Sequence, residues 1–231
     1  TNLYLLASSK SLGSKIIFKD KEIEVSNLEN FDFSKADITF FSAGGKISEK
    51  YVSAAAKHTV VIDNSSYFRM DPDVPLIVPQ VNSKEIKNMK KNILANPNCS
   101  TAQLVIVLKN LNDNFKIKRL VISTYQSTSG AGKKPMDELL NQTKKALESK
   151  EIKSENFTKQ IAFNAIPHID KFSTDGYTKE EIKMIQESNK ILGSNIDITA
   201  TCVRIPVLIS HAESVNICLL YTSPSPRDDA T

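Results

Sequence analysis

Three short segments carry side chains of the kinds that make and break acyl bonds. The first is Asn96-Pro97-Asn98-Cys99-Ser100-Thr101. Pro97 drives Asn96 toward extended backbone, and residues 101–111 follow with a strongly apolar helical pattern. Cys99 is therefore predicted at or just inside a helix N-terminus. There the macrodipole and free N–H groups favour thiolate, which predicts a lowered thiol pKa, and the same N–H groups can hold an oxyanion on a carbonyl attacked by sulfur. Most lone cysteines instead fill a small apolar site, and the local pattern leaves both readings open. The second segment holds Arg204, a bidentate anion clamp, and His211, a proton shuttle. Their odd spacing would put them on opposite faces of an unbroken strand, but Pro206 makes such a strand doubtful, and a bulge or strand end could realign them. The third, Ser123 to Gly132, is a strand running into a Ser/Gly turn, where Gln126 could orient a carbonyl or simply cap the turn. Glu181 and Lys183 could reach a ligand if their helix faces a cleft; the plainer reading makes Glu181 the partner of Thr178 in a capping box. His58 and His168 have no supporting neighbours.

These residues need elements to hold them. Residues 2–7, 37–42 and 59–62 read as short buried strands, each ending in small polar residues, with a helix over 47–57. That alternation describes a parallel sheet of βαβ units, in which ligands bind beyond the carboxyl ends of the strands. The turns at 8–13, 43–45 and 63–66 then lie where a nucleotide would sit. After Pro97 the pattern changes to a helix over 101–111, a strand over 119–125, an amphipathic helix over 136–147, a helix from Thr178 to near Gly193, and extended chain over 196–209.

Composition narrows the function. The 231 residues are 40% hydrophobic and 24% charged, enough for a large core and against wholesale disorder. The net charge of +4 comes from well-mixed charges with no nucleic-acid signature, so no nucleic-acid partner is expected. No apolar run is long enough for a bilayer span, and no membrane partner is expected. The three cysteines are too widely spaced for a disulfide framework or a zinc site, which predicts no metal and a cytoplasmic location.

Seven segments, in order, resemble the aspartate-semialdehyde dehydrogenase family: FSAGG from Phe41, VIDNSSYFRMDPDVPLIVPQVN from Val61, NPNCST from Asn96, STYQSTSGAG from Ser123, FNAIPHI from Phe163, GYTKEEIKM from Gly176 and TCVRIPVLISHAE from Thr201. The resemblance implies an α/β fold with a Rossmann-type nucleotide-binding domain (1–97) and an α+β catalytic and dimerisation domain (98–217). It implies NADPH-dependent reductive dephosphorylation of L-aspartyl 4-phosphate to L-aspartate 4-semialdehyde and phosphate, feeding lysine, threonine and methionine synthesis, by a homodimer or homotetramer. By the same resemblance Cys99 is the nucleophile that forms an acyl-thioester, His211 the general acid/base, and Gln126 the residue that orients the intermediate. Arg204 and Glu181 would bind the substrate's α-carboxylate and amino group, and Arg69, Lys183 and Asn98 its phosphate. Lys10, Ser11, Gly44, Ser129 and Gly130 would contact NADP. An N-acetyl-glutamyl-phosphate reductase and a non-catalytic module of the same fold are the alternatives. The family's glycine-rich loop would precede Thr1 and its carboxyl-terminal portion would follow residue 217, so the chain is expected to be a fragment that binds NADP poorly or not at all, and the implied activity is that of the longer enzyme rather than of the fragment itself. Residues 218–231 (CLLYTSPSPRDDAT) read as the translation of a sequencing adapter.

Overall fold

The computed structural model describes residues 2–220. Leu5–Ala7 forms β1, Lys15–Phe18 β2 and Lys21–Asn27 β3, with β1 parallel to β3 and β2 antiparallel to it. The β2–β3 hairpin was not expected from the sequence. Its two turn residues, Lys19 and Asp20, both adopt positive φ (48° and 62°), the backbone of a type I′ turn without the usual glycine.

Ile38–Phe41 (β4), Val60–Asp63 (β5) and Ile93–Ala95 (β6) form a second, parallel sheet in the order β4-β5-β6. The helix Gly45–Ala55 (α1) crosses between β4 and β5, burying Val52 and Ala55, while its Ser48 hydroxyl donates to Asp63 Oδ1 at 2.8 Å. Pro79–Asn82 is one helical turn (α2), and residues 76–78 contribute only an isolated bridge from Leu76 to Ala95.

The rest of the chain builds one mixed sheet and three long helices. Cys99–Phe115 is α3, Ile117–Gln126 β7, Lys133–Leu147 α4, Lys179–Leu192 α5, Asp197–Arg204 β8 and His211–Leu219 β9. The central strand β7 pairs parallel with β8 and antiparallel with β9. The expected extended run over 196–209 thus ends at Arg204, and a separate strand starts at His211. β9 continues through Cys218, opposite Arg119, and Leu219, opposite Ile117, so the first residues of the expected adapter segment complete a strand. Residues 221–231 of that segment lie outside the described residues.

The molecule is an α/β fold with a Rossmann-type half and an α+β half, and α3 and α5 serve both. Val105 and Ile191 join the core around Val52, Val61 and Ile93, while Leu104, Leu108 and Met184 join the core around Leu120, Ile122 and Ile198. Leu108, Leu120, Ile122 and Met184 are wholly buried, each stabilising by roughly 1.5–3 kcal/mol. Wedged between two sheets, both helices are fixed in direction, and so are their N-termini. No described helix is long and apolar enough to cross a membrane.

Candidate active site

The last residue of β7, Gln126, pairs with Arg204 on one side and His211 on the other. Residues paired across a sheet share a face, so these three side chains form one row at the sheet's end. The seven-residue separation that seemed to oppose Arg204 and His211 is absorbed by the chain reversal through Pro206. Gln126 and Arg204 are buried. Gln126 Nε2 lies 3.2 Å from Thr124 Oγ1, and an Arg204 NH1 group donates to Ser127 O at 2.6 Å. His211 Nδ1 accepts the Ser127 backbone N–H at 3.1 Å, which leaves Nε2 to carry the proton of the neutral ring.

Two helix N-termini meet this row. Asn98 caps α3, its Oδ1 accepting from Ser100 N at 2.9 Å and from Thr101 N at 3.4 Å, and Cys99 is the helix's first residue. Thr178 caps α5 in a full capping box with Glu181. Glu180, the residue before, turns toward the row: its Oε1 accepts from Asn98 Nδ2 at 2.8 Å and Gln126 Nε2 at 3.4 Å, and its Oε2 pairs with Lys183 Nζ at 3.2 Å.

Three expectations change here. Glu181 does not face the site: its carboxylate accepts Thr178 N at 2.7 Å and Cys202 N at 3.0 Å, tying α5 to β8. The carboxylate that turns toward the row is Glu180, which sequence reasoning missed. The signal was present, because residues three apart on a helix share a face and Lys183 is three from Glu180 but two from Glu181. The thiol pKa of Cys99 moves opposite to expectation. Burial, and then Glu180, push it up, and the Ser100 N–H, already engaged by Asn98, offsets only part of this. Cys99 nevertheless remains exposed to solvent. Arg69, finally, is buried, and three of its five N–H groups are engaged: Nε by Asn96 O at 2.9 Å, NH1 by Glu187 Oε1 at 3.0 Å and NH2 by Asn64 O at 3.0 Å. It reaches the site indirectly, since Glu187 Oε2 accepts Asn98 N at 2.6 Å.

Lys183 is the more available cation. Burial draws its pKa down, but Glu180 and Asp170 outweigh this and hold it above the ordinary value. Arg204 is lowered by burial against the pull of Glu180 and Cys99. Ser129 and Gly130 lie in the 3₁₀ turn Thr128–Ala131 beside the row. A Cβ on Gly130 would come within 3.1 Å of His211 Nε2 and 3.2 Å of an Arg204 guanidinium nitrogen, so any larger residue there would press on both side chains.

The remaining expected cofactor residues lie in turns that follow the parallel strands β1 and β4. Lys10 and Ser11 are exposed in the 3₁₀ turn Ser9–Ser11 after β1. Gly44 opens α1 at φ 91°, with no side chain capping the helix and open space in front of both Gly44 and Gly45. An uncapped helix N-terminus with a free approach at the carboxyl end of a parallel strand fits a dinucleotide phosphate.

Two family models match the chain: semialdehyde dehydrogenase, NAD binding domain, over residues 1–89, and semialdehyde dehydrogenase, dimerisation domain, over residues 108–230. The aspartate-semialdehyde dehydrogenase of Aquifex aeolicus is 54% identical over 221 residues, covering 93% of this chain, and that of Helicobacter pylori is 50% identical over 224 residues, covering 92%. The chain spans 65% of the length of both relatives. A crystal structure of aspartate semialdehyde dehydrogenase II from Vibrio cholerae, complexed with ASA, superposes with a TM-score of 0.95 at 45% identity, covering 100% of this chain and 69% of that one.

Proposed function

This chain belongs to the semialdehyde dehydrogenase family, and we propose that its site converts L-aspartyl 4-phosphate and L-aspartate 4-semialdehyde into one another through an acyl-thioester on Cys99. The observation that carries this reading is the meeting of two helix N-termini, bearing Cys99 and Glu180, with the row Arg204–Gln126–His211. The likeness to the aspartate-semialdehyde dehydrogenases, and to a structure complexed with ASA, supports the substrate.

The residues divide the work by charge. Arg204 clamps the α-carboxylate, and Glu180 takes the amino group, whose positive charge cancels the repulsion that holds the Cys99 thiol up. Cys99 Sγ, as thiolate, attacks the acyl carbon; the carbon–oxygen bond to phosphate breaks, and phosphate leaves with the electron pair toward Lys183. Arg69 holds the Asn98 end of that pocket through Glu187. His211 Nε2–H donates to the acyl oxygen while Nδ1 stays on Ser127 N–H. For proton transfer from the Cys99 thiol before attack, and from the thiohemiacetal hydroxyl as the carbon–sulfur bond breaks, the ring must release that N–H. Gly44, Lys10, Ser11, Ser129 and Gly130 would hold NADP as the nicotinamide cofactor, which when bound would supply the reducing equivalent that takes the acyl group to the aldehyde level. The protein works in the cytoplasm within lysine, threonine and methionine synthesis, as a homodimer or homotetramer.

The test, in a chain extended to the full length of its relatives, is NADPH formation from L-aspartate 4-semialdehyde and phosphate. Cys99→Ala is expected to lose turnover by on the order of a thousandfold or more while retaining NADP binding. Appreciable turnover in that variant, or none in the parent, overturns the reading.

A further inference from the structure

Among the described hydrogen bonds, one joins α3 to β9: Gln103 Nε2 donates to Glu213 Oε1 at 2.7 Å. Gln103 stands four residues after Cys99, one turn along the same helix face. Glu213 stands two residues after His211, on the same face of its strand. The bond therefore links the residue directly behind Cys99 to the residue directly behind His211. We propose that Gln103 and Glu213 are positioning residues, a polar strap that fixes the helix carrying Cys99 in register with the strand carrying His211. The proposal rests on the roles given above to Cys99 and His211.

The surroundings separate this role from plain packing. Below Gln126 the sheet face continues as the row Cys202–Thr124–Glu213 and then as Ala200–Ile122–Val215. From there down, α3 meets the sheet through one apolar cluster that holds Leu104, Leu108 and Ile122, with Val215 and Ile217 packed against it. Apolar contacts are non-directional and do not resist small sliding of a helix over a sheet, whereas a short hydrogen bond does. A half-buried carboxylate is also a poor choice for stability at this position. Burial pushes Glu213 up to about 7, with Gln103 opposing, so an apolar side chain would pack there at less expense. What the pair contributes is placement.

The test compares Gln103→Leu, Glu213→Leu, the double variant and Glu213→Gln in a chain extended to the full length of its relatives. Each leucine variant is expected to lower kcat about tenfold with KM changed less than about threefold, and the double variant to be no worse than the worse single. Glu213→Gln keeps an acceptor for Gln103 and is expected to recover most of the loss. A second readout needs no turnover: site-resolved alkylation by iodoacetamide. In Gln103→Leu, Cys99 should react about threefold faster relative to exposed Cys218 as its turn loosens toward water, while buried Cys202 stays unreactive. Unchanged kcat together with an unchanged Cys99:Cys218 ratio overturns the strap, as do additive losses in the double variant. Reactivity spreading to Cys202 also overturns it, since that is general loosening. If the parent shows no turnover, the functional reading falls, and the alkylation ratio alone decides the strap.

Discussion

Glu180 and Glu181 are adjacent carboxylates on α5 whose surroundings assign them opposite work. Glu180 meets Asn98, Gln126 and Lys183 at the site, and Glu181 satisfies two backbone N–H groups, Thr178 and Cys202. The difference is one helical step of about 100°. Glu180→Gln is therefore expected to raise Cys99 alkylation at neutral pH by roughly threefold to tenfold, because it removes the charge that opposes thiolate, with little change in melting temperature. Glu181→Gln should do the reverse, costing about 1–2 kcal/mol in denaturant unfolding through a weakened pair of buried hydrogen bonds, with Cys99 reactivity unchanged. The opposite pattern would return Glu181 to the site. Cys99, Gln126, Arg204 and His211 could be picked out from side-chain chemistry and motif order. The choice between two neighbouring glutamates could not be made from the capping box alone, since that motif identifies the inward residue and says nothing of what the next one touches.

The elements show the same division between what pattern reveals and what pairing decides. Parallel strands ending in polar turns were readable from apolar runs, and α5 from its cap and its terminal Gly193, which takes the left-handed conformation at φ 59°. The β2–β3 hairpin escaped because its Lys19-Asp20 turn lacks glycine. β9 escaped because its alternation is mostly half-buried against exposed, with few strongly apolar residues. Most consequential, the row Arg204–Gln126–His211 exists only through strand register, which no local pattern encodes. Capping carries functional weight here as well, since Glu180 rides on the first turn of α5. Thr178→Ala should cost about 0.5–2 kcal/mol. It should also speed amide exchange over residues 180–182, which lie in the turn that aims Glu180. Exchange in that turn equal to the parent's would mean that packing against β8, and not the cap, holds it.

The whole molecule is built around two helices shared by two cores, with further ties between its halves through Arg69–Glu187 and through Lys190, whose ammonium donates to the carbonyls of Arg69, Asp71 and Val74 at 2.7, 2.7 and 2.9 Å. Because the site is assembled where these parts meet, the global pH response of the fold reaches it directly. Several aspartates, among them Asp71 and Asp170, are held below the ordinary value: burial raises each, but the hydrogen bond and charge of Lys91 with the Asp73 N–H, and of Lys183 with the Lys171 N–H, together more than offset it. Their stabilisation is present above the usual carboxylate range and is lost as pH falls through the lowered values. Glu213 acts in the other direction. Its folded pKa of about 7 exceeds the ordinary 4.5, so between those values the folded chain holds a proton that the unfolded chain has released. Stability from this group therefore falls as pH rises from about 4.5 to about 7, and its burial penalty is fully present above that window. The unscreened shift would be worth about 3 kcal/mol, but Glu213 is only half-buried and solvent reduces this to about 1 kcal/mol, a few degrees of melting temperature for a chain of this size. Glu213→Gln carries no charge at any pH and keeps an acceptor for Gln103, so between pH 5 and pH 8 its melting temperature should decline less than the parent's by that amount. Parallel melting curves for parent and variant across this range would show that Glu213 is ordinarily ionised in the folded chain, and that the strap between α3 and β9 is indifferent to pH.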